Sequence, residues 1–242
     1  DMNLQTFLTS LAAIGPYFTR FAAEGAKGEA LSDTLKRLRP MGQECERAMF
    51  KATNGVNTHK GAIFSIGILA AAAGWCNANG KGLSAEAVCE AAALIAGGTK
   101  AEFGDITQET NGRRIYHSHG ITGARGEAAA GFPSVRHFAL PVLRTYCHAG
   151  HSENEALLQA LLHLMANVAD TNIIARGGIA ALDYVYQAAE DCLKLGGAYT
   201  SKGQNKLIQM DADFTQRNLS PGGCADLLAA ALALHQIERL AM

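Results

Sequence analysis

The sequence predicts an all-α protein. Hydrophobic residues make up 48% of the chain but aromatics only 7%. The apolar content leans on Ala, Leu, Ile and Gly rather than on the Val, Tyr, Phe and Thr that a β sandwich favours. Apolar positions recur at helical spacing, only five prolines interrupt 242 residues, and no stretch alternates convincingly as a strand. That length suits one large domain or two small ones. Similar helix composition throughout, with no internal repeat and no dividing linker, favours a single compact multi-helix domain over 1–242. The weakest joints are 99–106 and 196–205.

Leu4, Phe7, Leu8, Leu11 and Ile14 share the face of a first helix, expected to end near Gly15-Pro16. Leu31, Leu35 and Leu38 mark a second, stopping before Pro40. Met41 to Thr53 makes a third, closed by Asn54-Gly55. The next runs from Thr58 to Cys76, ahead of a loop from Asn77 to Gly82. Ser84 caps a helix to Ala96, with Gly97-Gly98 as its stop. Thr107 to His119 reads as a polar helix, and Gly120 to Gly126 as irregular. Ser134 to Ala149 reads as helical with a kink at Pro141. Ser152 caps a strongly periodic helix carrying Leu157, Leu158, Leu161, Leu162 and Met165. Gly177-Gly178 precede a helix from Ile179 to Leu195. Gly196 to Asn205 reads as a long polar loop, Lys206 begins a short helix, and a last helix runs from Pro221 to about Leu240.

The formal net charge of −1 supplies no global field for nucleic acid or an anionic membrane, so neither is an expected partner. The longest apolar run, Ala62 to Cys76, falls short of a bilayer span. Asp1-Met2-Asn3 leads straight into an amphipathic pattern with no secretory signal. The six cysteines form no C-x-x-C pair. Wide spacings among Ala and Leu fit buried free thiols in a reducing cytoplasm rather than zinc ligands.

Four segments put polar groups and glycines where a plain helical protein would not. Asn57-Thr58-His59-Lys60-Gly61 opens a helix, where free N–H groups and the macrodipole favour an anion. Arg113-Arg114 leads through Gly120-Ile121-Thr122-Gly123-Ala124-Arg125-Gly126-Glu127 to Gly131-Phe132. Asp170-Thr171-Asn172 is followed by Arg176-Gly177-Gly178. Asn218-Leu219-Ser220-Pro221-Gly222-Gly223 leads to Ala225-Asp226, with Ser220 a natural N-cap and Pro221 a natural first helical residue.

Lys60, Arg125 and Arg176 are candidates for phosphate binding, and Glu46, Glu127, Asp170 and Asp226 for hard oxygen ligands or bases. Carboxylates among cations and glycines are what a Mg²⁺–nucleotide site requires, because Mg²⁺ usually arrives with substrate phosphates. Each residue also has a plain structural reading. Asp170 can simply cap the next helix, Glu127 can pair with Arg125 or Lys60, and Asp226 can meet the macrodipole. His59 can be a hydrogen-bonded structural histidine, and Arg113-Arg114 a solvated face. No Walker loop, G-x-G-x-x-G after a strand or G-x-S-x-G elbow is present.

At these four segments, together with Glu46, Met49 and Thr53 to Ser65, the sequence resembles the triphosphoribosyl-dephospho-coenzyme A synthases, in order over about residues 40 to 240. The resemblance implies an all-α transferase. It would join ATP to 3′-dephospho-coenzyme A, release adenine, and make the precursor of the prosthetic group of citrate lyase or malonate decarboxylase. It also implies a downstream acyl-carrier transferase system and leaves a homodimer open. On this reading Asn57, Thr58, Lys60, Arg125, Asn172, Arg176, Ser220, Gly222 and Gly223 bind substrate. Glu46, Asp170 and Asp226 hold Mg²⁺, and Asp170, Glu127 and His59 take part in catalysis. Relatives usually carry a Pro-, Lys-, Gly- and Asp-rich segment ahead of an Asp-Met pair like Asp1-Met2, so the set is expected to be incomplete if that segment lines their site. Two rivals are a helical Mg²⁺-dependent nucleotide hydrolase and a non-catalytic helical module whose glycines only permit close packing.

Overall fold

Eleven α-helices carry the described residues of a computed structural model, 2–99, 111–148 and 151–240, and no strand occurs among them. They are α1 (Leu4–Gly25), α2 (Leu31–Ala52), α3 (Lys60–Ala78), α4 (Ala85–Ala96), α5 (Asn111–His119), α6 (Gly123–Ala129), α7 (Leu140–His148), α8 (Glu153–Met165), α9 (Thr171–Lys194), α10 (Ser201–Gln216) and α11 (Gly222–Arg239). The contacts gather the described residues into two compact units. One lies within Asp1–Glu102, Ala124–Phe132 and Gln236–Met242, the other within Phe103–Gly123 and Pro133–His235.

In the first unit, α1 and α2 each run through a proline that the sequence reading used as a stop. Pro16 lies inside α1, and Pro40 inside α2. Proline frees the carbonyl four residues earlier, here on Ala12 and Lys36. Both of those residues and both prolines are exposed, so water can replace the lost bonds. The buried stripe, Ile14 and Phe21 on α1 and Leu31, Leu35, Leu38, Cys45 and Met49 on α2, carries each helix onward.

The close crossing of α1 and α3 depends on glycine. A Cβ on Gly25 would strike the backbone of Ala71, and one on Gly74 the backbone of Ala22. By length and composition α3 could cross a membrane, although the sequence reading placed its apolar run below that threshold. Half of that apolar stretch is buried in the protein, with Ile63, Ile68, Leu69, Ala71, Ala72 and Cys76 among its core residues. Ser84 caps α4 as expected, its hydroxyl accepting from Ala87 N at 3.2 Å.

In the second unit, Ser152 and Glu155 form a reciprocal capping box on α8. Ahead of Pro141, where a kink is expected, Val135–Ala139 is a π-helical turn, with Leu140 N donating to Val135 O, and Leu140–His148 is α-helical. A π turn is one of the features that bend helices. The segment read as a loop from Gly196 to Asn205 is a short 3₁₀ turn, Gly197–Tyr199, followed by α10, which Thr200 caps by accepting from Gly203 N at 3.0 Å. Gly120 to Gly126, expected to be irregular, is helical from Gly123 onward in α6, most of which belongs to the first unit. The first residues of the polar helix expected over Thr107 to His119 lie outside the described ones, and Asn111–His119 is helical. Five cysteines, 45, 76, 89, 192 and 224, are buried thiols outside any disulfide, whereas the Cys147 side chain is outside the described set.

Candidate functional site

The start of α3 is built from three elements of the first unit. Asn57 Oδ1 accepts from Lys60 N at 3.2 Å and so caps the helix that Lys60 opens. His59 turns back instead of capping. Its Nδ1 lies 2.8 Å from Ser10 Oγ on α1 and 3.1 Å from Thr58 Oγ1, and Thr58 Oγ1 donates to Ser10 Oγ at 2.7 Å. His59 N donates to the sulfur of Met49 on α2 at 3.2 Å, and its ring meets Phe7 edge-on. Burial lowers the His59 pKa, which favours the neutral imidazole. In this structure His59 and Thr58 anchor α1 to α3.

Anchored this way, Lys60 sends its ammonium to Glu46 on α2, with Nζ–Oε2 at 3.0 Å. Both line a cleft of about 370 Å³ in the first unit. Its floor is apolar, from Phe21, Leu35, Leu38, Ile63, Phe64 and Ile68, and its polar groups include Arg39, Gln43 and Arg125. The cleft therefore joins charged groups, Lys60, Glu46, Arg39 and Arg125, to an apolar floor, as small-molecule sites do.

In the second unit the third and fourth segments meet. Asp170 is 2% exposed and caps α9, its Oδ1 accepting from Asn172 N at 2.8 Å. Its Oδ2 accepts from Cys224 N, in the first turn of α11, at 2.9 Å. One carboxylate thus satisfies orphan donors at two helix starts. This differs from the expected Ser220 N-cap with Pro221 as first helical residue. Gly222 is the first helical residue, Pro221 O accepts from Ala225 N, and the capping side chain comes from α9. Burial raises the Asp170 pKa, opposed by the N–H groups of Cys224 and Asn172. Burial and the Asp170 charge together push the Cys224 thiol well above its usual value, which leaves it unreactive.

The paired glycines of α11 follow from this contact. A Cβ on Gly223 would lie 2.9–3.1 Å from the Asp170 carboxylate, and one on Gly222 would lie 3.0 Å from Asn172 Nδ2. Arg176 donates to Asn218 Oδ1 at 2.8 Å and to Asn218 O at 3.3 Å, and Asn218 itself has a positive φ of 55°. At Gly178 (φ 72°, ψ −169°) α9 breaks into two helical pieces, as the glycine pair foretold. That conformation is essentially restricted to glycine.

The structure brings Glu46, Lys60 and Arg125 to one cleft. Separately it brings Asp170, Asn172, Arg176, Gly222 and Gly223 to one helix junction, with Ser220 half-buried on the approach to α11 and Asp226 half-buried just beyond its first turn. Glu127 is half-buried in α6. Among the described residues, no group of three or more His, Cys, Asp or Glu side chains gathers where it could hold a metal. Glu46 fits a Mg²⁺ that arrives with phosphates, since it is a half-exposed carboxylate beside a cation on an open cleft. Asp170 fits less well, because both of its oxygens are already engaged and nearly sealed from solvent. Sequence reasoning missed Arg39 and Gln43. Arg39, Gly42, Gln43 and Glu46 share one helical face at i, i+3, i+4 and i+7, but the presumed stop at Pro40 hid the stripe.

Residues 1–242 match the family model described as ATP:dephospho-CoA triphosphoribosyl transferase. A Pectobacterium atrosepticum protein named 2-(5″-triphosphoribosyl)-3′-dephosphocoenzyme-A synthase is 42% identical over 239 residues, covering 97% of this chain and 78% of the relative. A Vibrio cholerae (strain M66-2) protein named "Probable 2-(5″-triphosphoribosyl)-3′-dephosphocoenzyme-A synthase" is 41% identical over 247 residues, covering 99% of this chain and 79% of the relative. The fold matches a crystal structure from Archaeoglobus fulgidus, provisionally named triphosphoribosyl-dephospho-coA synthase. The TM-score is 0.54 at 19% identity, covering 96% of this chain and 99% of that one. This chain belongs to the ATP:dephospho-CoA triphosphoribosyl transferase family.

Proposed function

We propose that this member of the ATP:dephospho-CoA triphosphoribosyl transferase family joins ATP to 3′-dephospho-CoA, giving 2′-(5″-triphosphoribosyl)-3′-dephospho-CoA and free adenine. The family match over the whole chain supports the reaction. The observation that carries it into the structure is the cleft where Lys60 and Glu46 meet at the start of α3, beside Arg125.

The reaction is a substitution at the anomeric carbon of the ATP ribose. A bond forms from the 2′-oxygen of dephospho-CoA to that carbon, the bond to adenine N9 breaks, and the hydroxyl proton ends on adenine. Lys60 and Arg125 hold the triphosphate, which must stay intact, and Asn57 and Thr58 shape the turn that presents Lys60. Mg²⁺, held by Glu46 together with the phosphates, would neutralise part of their charge. A carboxylate, Glu127 or Asp170, removes the proton from the attacking hydroxyl and stabilises positive charge at the sugar. Asp170 is held by two backbone donors. Asn172, Arg176 and Ser220 are further candidates for substrate contact, Gly222 and Gly223 make room for Asp170 and Asn172, and Asp226 is a secondary Mg²⁺ candidate.

On this reading 1–242 acts as one functional domain in the cytoplasm, as a monomer or homodimer. Its product feeds an acyl-carrier transferase system of citrate lyase or malonate decarboxylase. The test is adenine release from ATP, measured by chromatography with and without dephospho-CoA. Release that requires the acceptor supports the reading. Release without it would indicate a nucleosidic hydrolase, phosphate release another hydrolase, and no turnover a binding module.

A further inference from the structure

We propose that the cleft of the first unit is a subsite for an adenosine 5′-polyphosphate, with Gln43 reading the edge of the base. The proposal rests on the transferase reading above and says which part of a substrate this cleft takes. Lys60, Arg39 and Arg125 put cationic groups on the rim. The floor offers the half-buried ring of Phe64, above the buried Phe21, and a flat base can stack on an aromatic face. Gln43 sits one turn before Glu46 on the same face of α2, lines the cleft and is exposed, and among the described residues its carboxamide takes part in no hydrogen bond. A Gln carboxamide matches the N6 amine and N7 of adenine in a bidentate pair. Guanine presents acceptors at both corresponding positions and would leave the amide oxygen facing another oxygen.

The floor is also tightly set. Phe21 is 2% exposed, and its ring lies 3.2 to 3.5 Å from where a Gly67 Cβ would sit. Gly67 therefore leaves room for the Phe21 ring to pack against α3.

Both substrates of the proposed reaction are adenosine 5′-phosphates, and binding measurements separate them. Equilibrium binding of ATP, dephospho-CoA, GTP and inorganic tripolyphosphate is measured on the wild-type chain, Gln43→Leu and Phe64→Ala. Gln43 is exposed, so its replacement does not threaten the fold. Gln43→Leu should weaken one adenosine ligand at least tenfold while GTP and tripolyphosphate change less than twofold. Loss of ATP identifies the donor subsite, and loss of dephospho-CoA the acceptor subsite. Phe64→Ala should weaken the same ligand and spare tripolyphosphate. Unchanged binding of both adenosine ligands in Gln43→Leu, or an equal loss of GTP, overturns the proposal even if wild-type turnover is normal. Wild-type protein that binds neither substrate would instead overturn the transferase reading.

Discussion

Replacing Asp170 by alanine separates a carboxylate that caps helices from one kept free for chemistry. Two backbone donors depend on it, Asn172 N and Cys224 N, the second of them buried. Losing an N-cap side chain costs about 1 kcal/mol. Leaving a buried donor unpaired costs about 1–3 kcal/mol. Relief of the carboxylate's burial returns part of that, so the net loss should be about 2–3 kcal/mol. For a chain of this length each kcal/mol moves Tm by about 2–4 °C, which gives a fall of about 4–12 °C. Asp170→Asn keeps one acceptor and turns an amide N–H₂ toward the other donor, so it recovers at most one of the two bonds. Thermal and urea unfolding followed by circular dichroism at neutral pH measure both variants. A Tm for Asp170→Ala within 1 °C of wild type would refute the capping account and return Asp170 to the substrate or the metal.

Gly223→Ala gains about 1 kcal/mol of helix propensity but must push a buried carboxylate aside, at about 1–3 kcal/mol. Unfolding should therefore show a small loss of stability that tracks any loss of turnover, whereas raised stability with lost turnover would return this glycine to ligand binding. Lys60→Ala should raise the Kd for ATP about tenfold or more and shift Tm by less than 2 °C, because a half-exposed ion pair contributes about 0–1 kcal/mol; unchanged ATP binding by calorimetry would exclude Lys60 from the phosphate site. The lowered His59 pKa means the unfolded chain takes up that proton first, so this contribution is full above about pH 6.5 and declines as pH falls through the folded value. The stability of His59→Asn should change less between pH 7 and 5 than that of wild type, and equal slopes would count against this role. Gly178→Ala forces a side chain into a conformation that only glycine adopts easily, so Tm should fall by a few degrees.

The helical class and most helix starts were legible because capping and periodicity are local. Ser84, Ser152 and the Gly177-Gly178 break behave as their neighbours in sequence dictate. Pro16 and Pro40 misled because a proline's cost depends on whether water reaches the freed carbonyl, and that is a tertiary property. Gly196 to Asn205 misled because its polarity masked the Thr200 cap. The phosphate-type residues at Lys60 and Arg125 were visible as motifs, whereas Gln43 was not, since only folding shows which face of α2 meets a cleft. Gly222-Gly223 looked like ligand glycines, but the groups approaching them belong to Asp170 and Asn172 of the same chain.

Attack at the sugar would leave the triphosphate whole. Turnover of ATP labelled on its γ-phosphate, in the presence of dephospho-CoA, distinguishes this from attack at phosphorus. All of the label should move into a dephospho-CoA product bearing a triphosphoribosyl group, with one adenine released per product. Label appearing as inorganic phosphate or pyrophosphate, in step with substrate loss, would contradict it.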